Sequence, residues 1–239
     1  MRPTGGPVIW VTGASRGIGA AVAEAFAQQG ACVVLSGRNR PALRRVAGRI
    51  EHQGGEAFVL ACDVTSERSV ERALKIISAR FRNVDVLVNN AGVTSFVSFE
   101  KTSTAEFDRI VATNLRGTFL CTKSVLPLML RRKNGSIINI ISVSAITTFS
   151  NSSAYGATKA GVLAMSRGLR AEVRDRGIRV INVLPGAVET EMWPEKFRKK
   201  HKAKMMKVGD VAKVILSIFN QPNGVLTEEI IIRPRGGDL

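Results

Sequence analysis

Val8-Ile9-Trp10-Val11-Thr12 is an unbroken, mostly apolar run that meets glycines at 13, 17 and 19, after which Ile18, Val22 and Phe26 recur at intervals of four. The run reads as a strand, the interval of four as one face of a helix, and the glycines as the tight turn between them. Glycine tolerates positive φ and lets other groups approach the backbone closely, while a helix start presents unpaired N–H groups and a partial positive charge. A pyrophosphate fits such a turn, which puts Gly13, Ser15, Arg16, Gly17, Ile18 and Gly19 forward as dinucleotide contacts. The spacing is GxxxGxG and not the commoner GxGxxG, so a turn whose glycines serve packing alone stays open as the other reading.

Similar apolar runs return at residues 32–36, 57–61, 86–89, 136–141, 178–184 and 229–233. Helical periodicity predicts helices over 41–53, 66–81, 104–131, 153–175 and 209–219, so strands and helices alternate. Strands that are continuously apolar are covered on both faces, which calls for a parallel sheet. The expectation is a single α/β domain over residues 1–239: a doubly wound, seven-stranded parallel sheet of Rossmann type with helices on both faces. There is no internal repeat. The one compositional break is the basic stretch 193–207, expected to form a short lid at about 190–207.

The second run ends at Ser36-Gly37-Arg38, where an NAD-selective fold carries an acidic residue for the adenosine ribose. Without that carboxylate, Arg38 and Arg16 can pair with a 2′-phosphate through charge-assisted hydrogen bonds, so NADP(H) is preferred over NAD(H). Both arginines can equally be solvated surface charges in so basic a chain.

The chain carries 35 Lys and Arg against 19 Asp and Glu, a formal charge of +16, which permits attraction to nucleic acid, membranes or acidic ligands. With aromatics at 5% and no stacking or zinc-finger pattern, nucleic-acid binding is not expected. No apolar run reaches the roughly 18 residues of a membrane span. Met1 to Pro7 leaves no room for a secretory leader, so a cytoplasmic location is expected, with Cys32, Cys62 and Cys121 as buried free thiols. His52 and His201 alone support neither a metal cluster nor a Ser/His/Asp triad, and no metal is expected.

Tyr155 and Lys159 stand one helical turn apart, and Ser142 ends the fifth run thirteen residues before Tyr155. Hydride transfer to a carbonyl leaves negative charge on its oxygen, which needs a proton and hydrogen-bond donors. Tyr155 can supply the proton. Its pKa of about 10 when unperturbed requires a nearby cation to make the phenolate accessible, and Lys159 is placed for this. Ser142 would bond the substrate oxygen, with Ser144 as its chemical rival.

Taken in order, Thr12-Gly13-x-x-x-Gly17-x-Gly19, Asp63-Val64, Asn89-Asn90-Ala91-Gly92, Asn114, Ser142, Tyr155-x-x-x-Lys159 and Pro185-Gly186 resemble the short-chain dehydrogenase/reductase family across nearly the whole chain. The resemblance implies that Lys159 also binds the nicotinamide ribose and that Asn114 holds a water relaying protons from Lys159. It places Asp63 and Val64 beside the adenine, Asn90, Ala91 and Gly92 beside the ribose, and Pro185, Gly186, Val188 and Thr190 around the nicotinamide. A plain structural role for Asn114, bonding backbone inside a long helix, is the alternative. Glu228-Glu229-Ile230-Ile231-Ile232-Arg233-Pro234 departs from the family's usual C-terminal pattern and leaves the back wall of the pocket undefined.

The activity implied is NADP(H)-dependent interconversion of a ketone and a secondary alcohol. Lys196, Arg198, Lys199, Lys200, Lys202, Lys204 and Lys207 in the lid suit an anionic substrate or acidic carrier, although a solvated basic helix explains them as well. Resemblance to 3-oxoacyl-[acyl-carrier-protein] reductases puts docking residues at Lys133 and Arg176, with Arg131 and Arg132 also expected to flank the mouth, and makes a 3-oxoacyl thioester the first substrate, free or carrier-bound. A sugar, polyol or hydroxy-acid dehydrogenase is the rival within the family, and a non-catalytic NADP(H)-binding protein the rival outside it. Helices 104–131 and 153–175 carry more apolar and small residues than one sheet face needs, so a homo-oligomer, dimer or tetramer, is expected.

Overall fold

A computed structural model describes residues 5–222 and 224–239. Seven parallel strands, β1 (Val8–Thr12), β2 (Cys32–Gly37), β3 (Glu56–Ala61), β4 (Val86–Asn89), β5 (Gly135–Ile140), β6 (Ile178–Pro185) and β7 (Glu229–Ile232), lie in the order β3-β2-β1-β4-β5-β6-β7. The order reverses beside β1, which makes the crevice between β1 and β4 the switch point where ligands collect in such sheets.

Alternation along β1 shows how both faces are filled. Ile9 and Val11 enter one core with Val22, Phe26, Leu43, Val211 and Ile215, which lie on α1 (Gly17–Gln28), α2 (Arg40–His52) and α8 (Val208–Phe219). Val8 and Trp10 enter the other with Val70 and Ile77 of α3 (Glu67–Phe81) and Leu120, Val125 and Met129 of α5 (Gly117–Arg132). Each such fully buried aliphatic side chain contributes about 1.5–3 kcal/mol.

The helix predicted over 104–131 is three segments: α4 (Thr104–Ile110), a π-helical turn (Val111–Arg116) and α5. The side chain of Asn114, within that turn, is drawn sideways onto the backbone of Val93, and Thr118 Oγ1 donates to the Asn114 carbonyl at 2.7 Å. At the first residue of α5 a Cβ on Gly117 would stand 2.9 Å from Val64 Cγ2, so the helix meets the loop after β3 through a glycine. The next helix, α6 (Ser153–Val173), stops short of the expected 175 and closes in a 3-10 turn at Arg174–Arg176, ended by Gly177 at φ +77°.

Equivalent positions on three strands hold asparagines in register: Asn89 opposite Asn139, and Asn139 opposite Asn182. Their side chains form a buried ladder, Asn89 donating to Asn139 at 2.9 Å and Asn139 to Asn182 at 3.1 Å. Asn89 also donates to Thr122 Oγ1 at 2.9 Å, and Asn182 reaches Glu229 of β7 at 3.4 Å. A slip of one residue in any of these strands would bury amides without partners, so the ladder fixes register as well as adding hydrogen bonds.

Among the described residues no helix is long and apolar enough to cross a membrane. Cys32, Cys62 and Cys121 are buried free thiols, and burial pushes Cys32 up to about 11.

Candidate active site

The strand ends open into one cleft of about 1310 Å³, above the ceiling of about 1,000 Å³ common for small-ligand pockets. Gly13, Ser15 through Ile18, Arg38, Asp63, Val64, Asn90 through Gly92, Ser142, Tyr155, Lys159, Pro185, Gly186, Val188 and Thr190 all line it. Of the catalytic and cofactor residues expected from sequence, Gly19 and Asn114 are not on its wall.

At the phosphate turn Gly13 and Gly17 take φ of +65° and +59°, and a Cβ on Gly13 would lie 2.8 Å from Ala91 Cα. Arg16 is the N-cap of α1 in extended backbone, and neither a capping side chain nor an acidic residue fills the first turn. The free N–H groups of that turn therefore face the cleft, the arrangement an anionic phosphate satisfies. Gly19 serves packing instead: a Cβ there would stand 2.7 Å from the Gly13 carbonyl oxygen and collide with the Asn90 amide.

Asn90 is expected beside a ribose, yet its Nδ2 donates to the carbonyls of Thr12 and Gly13 at 3.0 and 3.1 Å. Thr12 Oγ1 in turn accepts from the N–H groups of Asn90 and Ala91 at 3.0 and 3.1 Å. The loop after β4 is thus bolted to the turn after β1, and the Asn90 side chain is a brace. Asp63 is similarly committed, its Oδ1 accepting from Thr65 N–H and Oγ1 at 3.0 and 2.9 Å.

Arg38 is exposed at the end of β2 with no carboxylate bonded to it among the described residues, and Arg45 of α2, not foreseen, lines the same end. Arg16 lines the cleft as well, and its guanidinium pairs with Glu191 on the same wall. The uncapped helix start, the glycine cradle and Arg38 fit the phosphates of NADP(H).

At the other end Ser142 follows β5 and Tyr155 lies in the first turn of α6. Both line the cleft; burial pushes the Tyr155 phenol up to about 12, and the neighbouring Ser142 hydroxyl favours the phenolate and only partly offsets this. Ser142 Oγ also accepts from the Ser144 N–H at 3.1 Å and lies 3.2 Å from Ser144 Oγ, so the rival hydroxyl backs Ser142. One turn along α6, Lys159 is 6% exposed, its Nζ 5.6 Å from the Tyr155 ring centre and donating to the Ile140 carbonyl at 2.9 Å. Burial pushes this ammonium down to about 8, so at neutral pH it still carries its charge beside the phenol.

Asn114 is 1% exposed, and its amide bonds both backbone groups of Val93 (2.8 and 2.9 Å) and Thr158 Oγ1 (3.1 Å). Its Oδ1 and Lys159 Nζ converge on Gly92, 3.4 and 3.7 Å from where a Cβ would stand.

The remaining wall was not foreseen. Phe96 stacks on Trp193 at 5.2 Å, Trp193 on Phe197 at 5.1 Å, and Phe197 meets His201 at 4.3 Å. Phe96, Phe149, Met192, Trp193 and Phe197 make the substrate side apolar. The lid contains a short helix, α7 (Glu195–His201), whose lysines point to solvent. Behind the cleft Gly186 N–H donates to the Ile232 carbonyl at 2.7 Å, and Asp238, paired with Arg233, and Leu239 complete the back wall.

The sequence pattern of the short chain dehydrogenase family matches residues 7–201. The chain belongs to that family. A relative named sepiapterin reductase, from Chlorobaculum tepidum, is 34% identical over 97% of this chain and 98% of its own length. Among solved structures in the family, a metagenomic short-chain oxidoreductase in complex with NADP superposes with a TM-score of 0.85 at 33% identity, covering 95% of this chain and 96% of that one. An alcohol dehydrogenase from Thermococcus sibiricus, complexed with 5-hydroxy-NADP, gives 0.88 at 31% identity over 96% and 97%.

One expectation drawn from the family's carrier-protein branch needs correction. Lys133 closes α5 just before β5 begins, and Arg176 precedes β6, which places both at the strand starts, across the sheet from the cleft. Arg131 shares that end, and Arg132 is paired with Asp85. None of the four flanks this chain's own active-site mouth.

Proposed function

We propose that this single domain, residues 1–239 with a lid over 190–207, is an NADP(H)-dependent oxidoreductase that interconverts a ketone and a secondary alcohol. The observation that carries the reading is that Ser142, Tyr155 and Lys159 line one cleft with an uncapped glycine turn, Lys159 Nζ standing 5.6 Å from the Tyr155 ring centre. NADPH, when bound, supplies the hydride. The turn 13–18 and Arg38 hold its phosphates, and Val64, Ala91, Gly92, Pro185, Gly186, Val188 and Thr190 line the rest of its path.

Tyr155, protonated at neutral pH, donates its phenolic proton to the substrate oxygen as negative charge develops there. Ser142 donates a hydrogen bond to the same oxygen, and Lys159 stabilises the phenolate left behind. Asn114 positions Lys159 by fixing the loop at Val93, and a water between Asn114 Oδ1 and Lys159 Nζ would return the proton. This complete set argues against a non-catalytic nucleotide-binding role.

For the substrate, the apolar wall of Phe96, Phe149, Met192 and Trp193 favours a ketone with an apolar or planar flank over a sugar or polyol, whose hydroxyls need polar partners. A 3-oxoacyl thioester stays in this class through the basic lid alone, since Lys133 and Arg176 lie at the far end. The exposed Phe107 and Phe119, at 44% and 46%, support pairing of protomers through α4 and α5 into a dimer or tetramer. Free thiols suit the cytoplasm.

NADPH consumption with acetoacetyl thioesters and with aryl and bicyclic ketones, set against NADPH formation from NADP with polyols, tests the assignment. Turnover on the ketones with NADPH, and not with NADH, is the expected result; turnover confined to polyols would overturn it.

A further inference from the structure

The segment between Val188 and Met206 leaves the domain and returns to it as a flap. Its stems are joined by a parallel bridge between Val188 and Met206, with Glu189 N–H donating to Met206 at 2.9 Å and Met206 N–H to Ala187 at 3.0 Å. Inside it, Trp193 Nε1 donates to the Val188 carbonyl at 3.0 Å and Lys202 pairs with Glu189 at 3.1 Å. These internal ties let the segment move as a piece. Beyond its stems, one ring contact and one ion pair tie it to the rest of the domain among the described residues: the Phe96–Trp193 stack on the substrate side and the Arg16–Glu191 pair on the phosphate side. Thr190 is close behind, its Cγ2 3.5 Å from where a Cβ on Gly17 would stand.

Arg16 is the N-cap of the phosphate-binding helix and lines the same cleft as Arg38, so the flap is tied to a cation that an incoming phosphate can reach. A 2′-phosphate carries nearly two charges and can take a guanidinium bidentately, whereas Glu191 offers one charge. A phosphate on Arg16 would also repel the Glu191 carboxylate. We infer that Glu191 is an internal competitor for the cofactor's 2′-phosphate: it occupies Arg16 and holds the flap closed until the phosphate displaces it.

The inference rests on the NADP(H) reading of the cleft. It makes Glu191 a determinant of 2′-phosphate selectivity and makes flap release a consequence of binding the phosphate rather than the nicotinamide. Both partners are well exposed, 65% and 59%, so the effect is about two- to fivefold in affinity, the range that exposed pairs support.

Adenosine 2′,5′-bisphosphate tests this without turnover, with adenosine 5′-monophosphate as the control ligand. Calorimetry on wild type, Glu191→Gln and Glu189→Gln should show the bisphosphate bound two- to fivefold more tightly by Glu191→Gln alone, and the monophosphate bound equally by all three. Acrylamide quenching reads the flap through Trp193, because the second tryptophan, Trp10, is fully buried. Quenching should rise when wild type binds the bisphosphate and start high in Glu191→Gln. If wild type prefers the bisphosphate but Glu191→Gln changes neither affinity nor quenching, the competition is wrong and the cofactor reading stands. If wild type shows no preference for the bisphosphate, both fall.

Discussion

Lys159 Nζ stands 5.6 Å from the centre of the Tyr155 ring while donating a 2.9 Å hydrogen bond to the carbonyl of Ile140. Burial disfavours the charged form of each group, so the ammonium's pKa falls while the phenol's rises.

This opposition sets a pH dependence of stability. Lys159 drops from 10.5 to about 8, so between those values the unfolded chain binds the extra proton and the fold gains stability as pH rises. Tyr155 rises from 10.0 to about 12, so above pH 10 the folded chain holds the extra proton and stability is lost as pH rises further. Urea titrations of the cofactor-free protein should show Lys159→Met as the more stable form near pH 7, with its advantage shrinking towards pH 10.5. An advantage that does not change with pH would contradict the burial of a charged Lys159.

Tyr155→Phe keeps the ring and removes the proton. It should lower kcat by about 10²–10⁴ while NADPH binding, followed by fluorescence, changes little. Ser142→Ala should cost less, because Ser144 lies 3.2 Å away and can turn its hydroxyl to the same oxygen.

Breaking the asparagine ladder should separate stability from chemistry. Asn139→Ala removes the partner of the buried Asn182 Oδ1 and of one Asn89 N–H, a loss of about 1–3 kcal/mol for each group left unsatisfied. The urea midpoint should fall, with kcat per folded molecule unchanged because no member of the ladder lines the cleft.

Two glycines should respond oppositely to alanine. Gly48, in α2, has open space where a Cβ would go, so Gly48→Ala should stabilise the protein by about 0.5–1 kcal/mol. Gly19→Ala drives a methyl into the Asn90 brace and should weaken NADPH binding by loosening the phosphate turn. Thermal melts with and without NADP distinguish the two.

The chemistry was legible because its parts are local in the chain. Tyr155 and Lys159 share a helix face, Ser142 ends a strand, and the glycine turn joins adjacent elements, so periodicity and residue type were enough to place them. The position of Lys133 and Arg176 was also legible in principle: a helix that precedes a parallel strand must end at that strand's start, away from the cleft. The alternation that defined the sheet already contained that correction.

The seven-stranded parallel sheet and the residue types at its ligand-binding edge follow from the amino-acid order alone, since both rest on burial patterns and short-range geometry. Folding in three dimensions adds that the Asn90 side chain braces the turn after β1, that three asparagines share one register line, and that Arg16 meets Glu191, 175 residues away. Those choices depend on which distant side chains arrive within hydrogen-bond reach, and a one-dimensional pattern does not carry that distance.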